Sequence, residues 1–302
     1  NEIKQITTSE EKNRAIITKL KAKYRTLFQK YSESKGEFGE IANSVDLQFE
    51  NISKKFEDFE KAMENNDYME ITNIIKAIDE MLEHMEVILE EVPVIVIMAT
   101  NILPKKIKEV EKTYQEMEKK GYPLDYLNVE YNIEEANKKI IDVMDRTRVL
   151  NLEDGLFELK VLMEYFDTVF DDFEKEKVDK TSYEDSNKKF QEKLNKTNKL
   201  LNEIFSQMDN LRNLYNLSEE DIKNLYDIKE DTEKLNEDYK VLISHTGNNT
   251  FAYSKLTREI ENLFIKLVNI EERIDTTLNT IGSMHDDEQR AREQLEEMKV
   301  IL

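Results

Sequence analysis

Residues 92–124, VPVIVIMATNILPKKIKEVEKTYQEMEKKGYPL, decide the fold, because they hold all three prolines of the chain, Pro93, Pro104 and Pro123, together with Gly121. Proline lacks an amide donor and its ring collides with the preceding helical turn, so three of them in succession are expected to make the chain change course. The reading places each proline at a first helical position, where the missing donor costs nothing. Between the first two lies the apolar run Val94, Ile95, Val96, Ile97 and Met98. It is too short to cross a bilayer, which takes about 20 apolar residues. It is rich in β-branched residues, yet no second strand candidate exists for it to pair with. A short helix, apolar on all sides and buried under its neighbours, is therefore expected; contact with a partner through these five residues is the alternative.

Outward from that stretch, everything reads as helix. The 302 residues include only 6 Gly, far too little punctuation for an α/β domain of this length. With 36% charged and 39% apolar residues, the composition fits long amphipathic helices, and 13 Tyr, 13 Phe and a sustained periodicity argue against disorder. A net charge of -21 argues against a nucleic-acid partner and disfavours adsorption to an anionic membrane. No cysteine is present, so no disulfide framework or thiolate metal site is available. The chain starts at Asn1 and stops within the pattern at Val300, Ile301 and Leu302, and it reads as an excised piece of a longer protein, so that any signal or anchor would lie outside these residues.

Thr8 and Glu11 match a capping box that would open the first helix. Ile17, Leu20, Tyr24, Leu27 and Tyr31 then follow at alternating steps of three and four, a heptad seam that continues through Val45, Phe49, Ile52, Phe56, Phe59 and Met63. One place, Ile41, Val45 and Phe49, has four following four, which locally unwinds a supercoil. Read as one helix, residues 8–63 would be about 80 Å long. Asp67 with Glu70 caps a second helix, Gly121 ends a third, Asn151 with Asp154 caps a fifth, and Ser218 with Asp221 opens a sixth. The pattern slips at residues 176–180 and resumes at Tyr183. Residues 245–249 are the clearest polar turn, and a seventh helix follows.

An internal repeat supports a modular fold. The heptad positions from Leu152 to Phe173 lie 84 residues after those from Tyr68 to Leu89, and each set follows a short Asn-containing break. The expected fold is all-α, an elongated array of antiparallel three-helix modules joined by long helices. The divisions are residues 1–35, a helix continuing an upstream module; 36–128, a module containing the proline stretch; 129–214, a second module; and 215–302, a third and incomplete one.

Little in the chain points to chemistry. His84 lies among Glu83 and Glu86, His245 in a turn, and His285 beside Asp286, Asp287 and Glu288, where a solvated polar helix is favoured over a metal site. There is no Gly-rich phosphate loop and no nucleophile elbow. Neither a catalytic residue nor a cofactor is assigned, and the reading is of a non-enzyme. Lys105, Lys106 and Lys108 form the one local basic cluster, which Glu109 and Glu111 dilute, and it is read as solubilising.

Several short motifs, in order and spacing, resemble the EzrA family: Thr8-Ser9-Glu10-Glu11, Phe38-Gly39, Asn66-Asp67-Tyr68, Glu91-Val92-Pro93, Leu103-Pro104, Gly121-Tyr122-Pro123-Leu124, and residues 287–292. The resemblance covers nearly the whole chain. It implies spectrin-like modules on the cytoplasmic face of the plasma membrane at the division septum, tethered by a transmembrane helix absent from this chain. It also implies control of assembly of the tubulin-like protein FtsZ, with other division proteins as partners and self-association left open. No binding residue is carried over. The alternative function is the coiled-coil arm of a mechanochemical ATPase whose nucleotide-binding heads lie outside this chain.

Overall fold

A computed structural model describes the backbone of residues 2–248 and 250–301 and the side chains of residues 4–248, 250–295 and 297. Asn249 of the polar turn and the terminal Asn1 and Leu302 lie outside the described residues. The fold is all-α, with no strand among the described residues. Among the described residues nine α-helices follow one another: α1 Glu2–Ser34, α2 Ala42–Glu64, α3 Tyr68–Ile97, α4 Leu103–Lys119, α5 Val129–Arg148, α6 Gly155–Ser206, α7 Met208–Tyr215, α8 Glu219–His245 and α9 Tyr253–Ile301. Contacts group the chain into two compact units: residues 1–113 with 128–170, and residues 114–127 with 171–302.

In the first unit the long helix read across residues 8–63 is instead a hairpin. Its reversal is a 3₁₀ segment, Lys35–Ile41, where Gly39 has φ 52 and ψ -132, a conformation open essentially to glycine alone. A β-carbon there would lie 3.5 Å from Val96 Cγ1. The place where four follows four, Ile41 to Phe49, begins where this reversal ends and α2 starts, so it follows a change of direction and not a change of supercoil. Pairs at nearly constant sums of residue number show the antiparallel register. Lys21 Nζ meets Glu60 at 3.1 Å, Tyr24 packs edge-on against Phe56 and Phe49, and the Tyr31 hydroxyl donates to the Ala42 carbonyl and the Asp46 carboxylate. A second reversal, at Asn65, Asn66 and Asp67, brings α3 alongside α1, with Lys23 paired to Glu86. Asp67 accepts from the Glu70 amide, as its sequence signature requires. Thr8, by contrast, does not cap α1: it lies inside the helix and its hydroxyl donates to the Lys4 carbonyl.

Two of the three prolines fail to break the helix. Residues Tyr68–Lys119 form one helix of 52 residues. Pro93 sits in the interior of α3, and Pro104 follows a π-helical turn, Met98–Ile102. Neither is at a first helical position of a new helix. The π turn explains the second case, because its hydrogen bonds skip five residues and Leu103 N–H donates to the Met98 carbonyl. A wider turn moves the Thr100 carbonyl out of the path of the Pro104 ring, and an inserted residue shifts the buried seam from Val92, Ile95 and Ala99 to Leu103, Ile107 and Val110. Pro123 alone lies in a break, after Gly121 takes φ 78 and the Tyr122 amide bonds back to the Met117 carbonyl.

The rest of the first unit closes against this helix. Arg148 at the end of α5 pairs with Glu40 at 2.6 Å, and the Ser44 hydroxyl donates to the Arg148 carbonyl at 2.6 Å. Gly155, at the start of α6, abuts Val143 and Ile95, so α3, α5 and α6 approach closely there; a β-carbon would lie 3.3 Å from Val143 Cγ1. Asn151 does not cap α6 directly; its side chain accepts from the Glu153 amide two residues on.

In the second unit, α6, α8 and α9 share one core that includes Phe190, Leu201, Leu225, Leu235, Ile260 and Leu267. Helices α8 and α9 run antiparallel, fastened by Asp231 to Arg273 at 2.5 Å and Asp238 to Lys266 at 2.9 Å. Ser218 and Asp221 form the expected capping box at the start of α8. Reciprocal amide bonds of 3.0 Å between Asn198 and Asn236 fix the register of α6 against α8, since shifting either helix would strand both groups.

The α5–α6 turn carries measurable strain. Leu150 stands at φ 57, where its β-carbon crowds the following carbonyl, although the Leu150 and Asn151 amides complete the C-terminal cap of α5. Leu150→Gly is expected to stabilise the chain by up to about 1 kcal/mol. Thermal denaturation of the two proteins measures it, and a lowered melting temperature would show that the partly buried Leu150 side chain outweighs its backbone strain.

Candidate functional site

Only part of the apolar run is core. Ile95 is fully buried and Met98 is 8% exposed, but Val94 is 38% and Ile97 is 52% exposed, with Val96 between the two and lying near Gly39. The expectation of a segment buried on all sides is therefore corrected. Helical continuity through Pro93 gives the run one inward and one outward stripe, and the outward stripe includes Val87, about two turns before Val94. The same continuity changes the membrane argument. Among the described residues one helix, Tyr68–Lys119, is apolar enough by length and composition to cross a bilayer, with a window mean hydropathy of 1.8 of which 33% is buried. Its inward face packs on α1 and α2, and Glu90 and Glu91 interrupt the apolar stretch, the pattern of a bundle helix.

On the same outward side the helix carries Lys105 and Lys108, both exposed. The cluster of three lysines is divided by the structure: Lys106 pairs with Asp167 and lies 5.1 Å from the Phe170 ring centre, whereas Lys105 and Lys108 hold no acidic partner among the described residues.

A second site was hidden from sequence reading. The apparent slip at residues 176–180 is no slip, because α6 runs unbroken and Phe166, Val169, Phe173, Glu176, Lys180, Tyr183 and Phe190 keep steps of three and four or their sum. Two successive seam positions are simply charged. Glu176 is 2% exposed and accepts from the Tyr126 hydroxyl at 2.9 Å and the Tyr253 amide at 3.3 Å. It thereby serves as a long-range N-terminal cap for α9 and ties down the 3₁₀ turn Asp125–Leu127. Lys180 lies 4.7 Å from the centre of the Tyr122 ring, and Tyr122 in turn packs edge-on against Tyr253. Burial is the main cause that lifts the Glu176 carboxyl above its ordinary 4.5, opposed by the Tyr126 and Tyr253 hydrogen bonds and assisted by nearby Asp179. The signal that could have revealed this site was the unbroken spacing itself.

The histidines are accounted for individually. His84 is exposed. His245 stacks on Phe251 at 4.2 Å with Glu259 3.5 Å away, and His285 lies 4.7 Å from Tyr215. Among the described residues no group of three or more His, Asp or Glu side chains is placed to hold a metal ion.

Comparison with known proteins bears on what such surfaces serve. The family described as "Septation ring formation regulator, EzrA" matches residues 1–302. A septation ring formation regulator EzrA from Geobacillus sp. (strain WCH70) is 25% identical over 198 residues, covering 66% of this chain and 35% of that protein. Another from Geobacillus kaustophilus (strain HTA426) is 24% identical over 176 residues, covering 58% of this chain and 31% of that protein. The matched part thus spans about a third of these curated relatives. No solved structure matches the chain significantly. The ATPase-arm alternative draws no support from these matches.

Two substitutions two residues apart, on opposite faces of one helix, separate core from surface. Ile95→Asp places an unpaired charge in packed interior and is expected to cost several kcal/mol, about 3 or more, while Ile97→Asp is expected to stay within about 1 kcal/mol of the parent. Equal losses in chemical denaturation would return Ile97 to the core. For Glu176 the sign follows from proton binding: with its carboxyl raised in the folded chain, the folded state holds more protons above 4.5, so stability falls as pH rises through that window. Glu176→Gln is expected to flatten this part of the melting-temperature profile between its ordinary and raised values. An unchanged profile would show that the carboxylate is not held as the geometry indicates.

Proposed function

This chain belongs to the EzrA family of septation ring formation regulators, and on that premise we propose that it is the reach and contact portion of a non-enzymatic regulator of FtsZ ring assembly. In this reading the intact protein is tethered by a transmembrane helix outside these residues and acts on the cytoplasmic face of the membrane at the septum. The observation that carries it is the match over the full length, residues 1–302. Physical support comes from the way the helices bury narrow seams and leave broad charged faces. Such surfaces suit contact with a partner more than the preorganisation of reacting groups. A net charge of -21 keeps the chain soluble and off anionic lipid, so that contact is left to local patches. The proposed partners are FtsZ and other division proteins.

The test uses the intact, anchored protein. Deleting residues 1–302 is expected to abolish mid-cell localisation or to alter the number and position of FtsZ rings, while the isolated chain binds purified FtsZ weakly or not at all. Retention of normal rings and localisation after the deletion would contradict the reading. So would reproducible nucleotide hydrolysis by the isolated chain.

A further inference from the structure

Three successive seam positions of α6 reach out to other parts of the second unit. Glu176 accepts from the Tyr126 hydroxyl at 2.9 Å, 50 residues earlier in the chain, and from the Tyr253 amide at 3.3 Å, 77 residues later. Lys180 lies 4.7 Å from the centre of the Tyr122 ring, and the Tyr183 hydroxyl shares a hydrogen bond of 2.5 Å with Thr246 Oγ1. Tyr253 touches this row from both sides, its ring edge-on to Tyr122 at 6.3 Å and tilted against Tyr183 at 5.8 Å. One carboxylate thus joins the turn 122–127 to the first turn of α9. Both joined segments bury few side chains. Of residues 122–127 only Pro123 and Leu124 are buried, and of residues 250–253 only Tyr253 is.

We propose that residues 122–127 and the first turn of α9 form one strap, clasped by Glu176, that opens and closes on α6 as a single unit. When it is closed, the Glu176 carboxylate is 2% exposed and relies on two donors in place of water. Losing either donor leaves a buried charge half satisfied, so the remaining bond no longer offsets the missing hydration. The second segment then follows the first. When the strap is open, the carboxylate is hydrated again, which returns part of the cost of breaking both bonds. Opening of this kind, short of global unfolding, is the ordinary behaviour of segments with few buried side chains. What the strap closes upon is better anchored: α6 runs unbroken, and Leu256, Ile260 and Leu267 hold α9 beyond its first turn, each 1% exposed or less. This end of the second unit therefore has two states, with the Tyr253 ring covered in one and open to solvent in the other. The device stands independently of the regulator reading, since it needs only contacts within one unit.

Hydrogen exchange followed by mass spectrometry on the whole 302-residue chain reads the two segments separately. The reporting amides are Leu127, bonded to the Leu124 carbonyl, and Tyr253, Lys255 and Leu256 at the start of α9. Tyr126→Phe removes one hydroxyl from the turn and no atom of α9. It is expected to speed exchange about tenfold in both segments, the factor that loss of a hydrogen bond to a charged acceptor brings, while residues 225–235 of α8 keep the parent rate. Glu176→Ala is expected to act on the same two segments more strongly. Glu176→Gln, whose amide can accept from the Tyr253 amide and donate to the Tyr126 oxygen, should keep them protected together. Faster exchange confined to residues 122–127 in the Tyr126→Phe chain would overturn the proposal. So would faster exchange spread evenly over α8, which would report a global loss of stability. Joint opening on Tyr122→Ala without any on Tyr126→Phe would overturn it too, by making the ring contact with Tyr253 the clasp in place of Glu176.

Discussion

Losing an amide donor costs a helix least where the regular hydrogen bonds have already been given up, and Pro104 stands directly after such a place. The π turn Met98–Ile102 lets the helix pass the proline and advances its buried face by one residue. Much else depends on that continuity. Ile95 can pack where Gly155 and Val143 meet, Val96 can lie against the Gly39 reversal, and Ile107 and Val110 continue the buried seam beyond the proline. A helix that ended at Pro93 would have left the five apolar residues between the prolines free to bury on every side. A helix that continues must divide them into two stripes, and only one can face the core.

The same logic of a seam held to its register governs Glu176. An unbroken heptad helix has to place something at each inward position, and here two successive positions hold Glu176 and Lys180. A buried carboxylate without hydrogen bonds would be strongly destabilising, so its environment is built around it: a tyrosine hydroxyl from the turn after α4 and the first amide of α9. Neither side chain is there for chemistry that the geometry reveals. Together they make the second unit specific about which turn and which helix end close upon α6. The amide pair Asn198 and Asn236 does the same farther along.

Period and caps made the helices readable in the sequence, while direction and continuity remained hidden. Ile17, Leu27, Phe49, Ile52 and Phe59 are buried as their spacing requires, and Asp67, Ser218 and Gly121 mark ends where their chemistry places them. The reversal at Gly39 escaped because an antiparallel hairpin of two heptad helices and one long helix share the same apolar period; only the positive φ at Gly39 distinguishes them. Prolines misled in the opposite direction: Pro104 follows a π turn in place of a regular one, and Pro93 lies within α3 without ending it. Of the outward stripe, Val94 and Ile97 were visible as apolar residues but not as exposed ones. Lys105 and Lys108 could be separated from Lys106 only once Asp167 was seen beside it.

Hydrogen exchange through residues 88–110, followed by mass spectrometry in the intact 302-residue chain, tests the central claim of helical continuity most directly. The account requires slow exchange on both sides of Pro93 and Pro104, with the amides of Leu103 and Ile107 protected like those of Ile88 and Val92, and no more than local weakening at the π turn. Fast exchange across residues 98–106, between two separately protected segments, would show that the helix ends and restarts at the prolines, and both the divided apolar run and its outward stripe would fall with it.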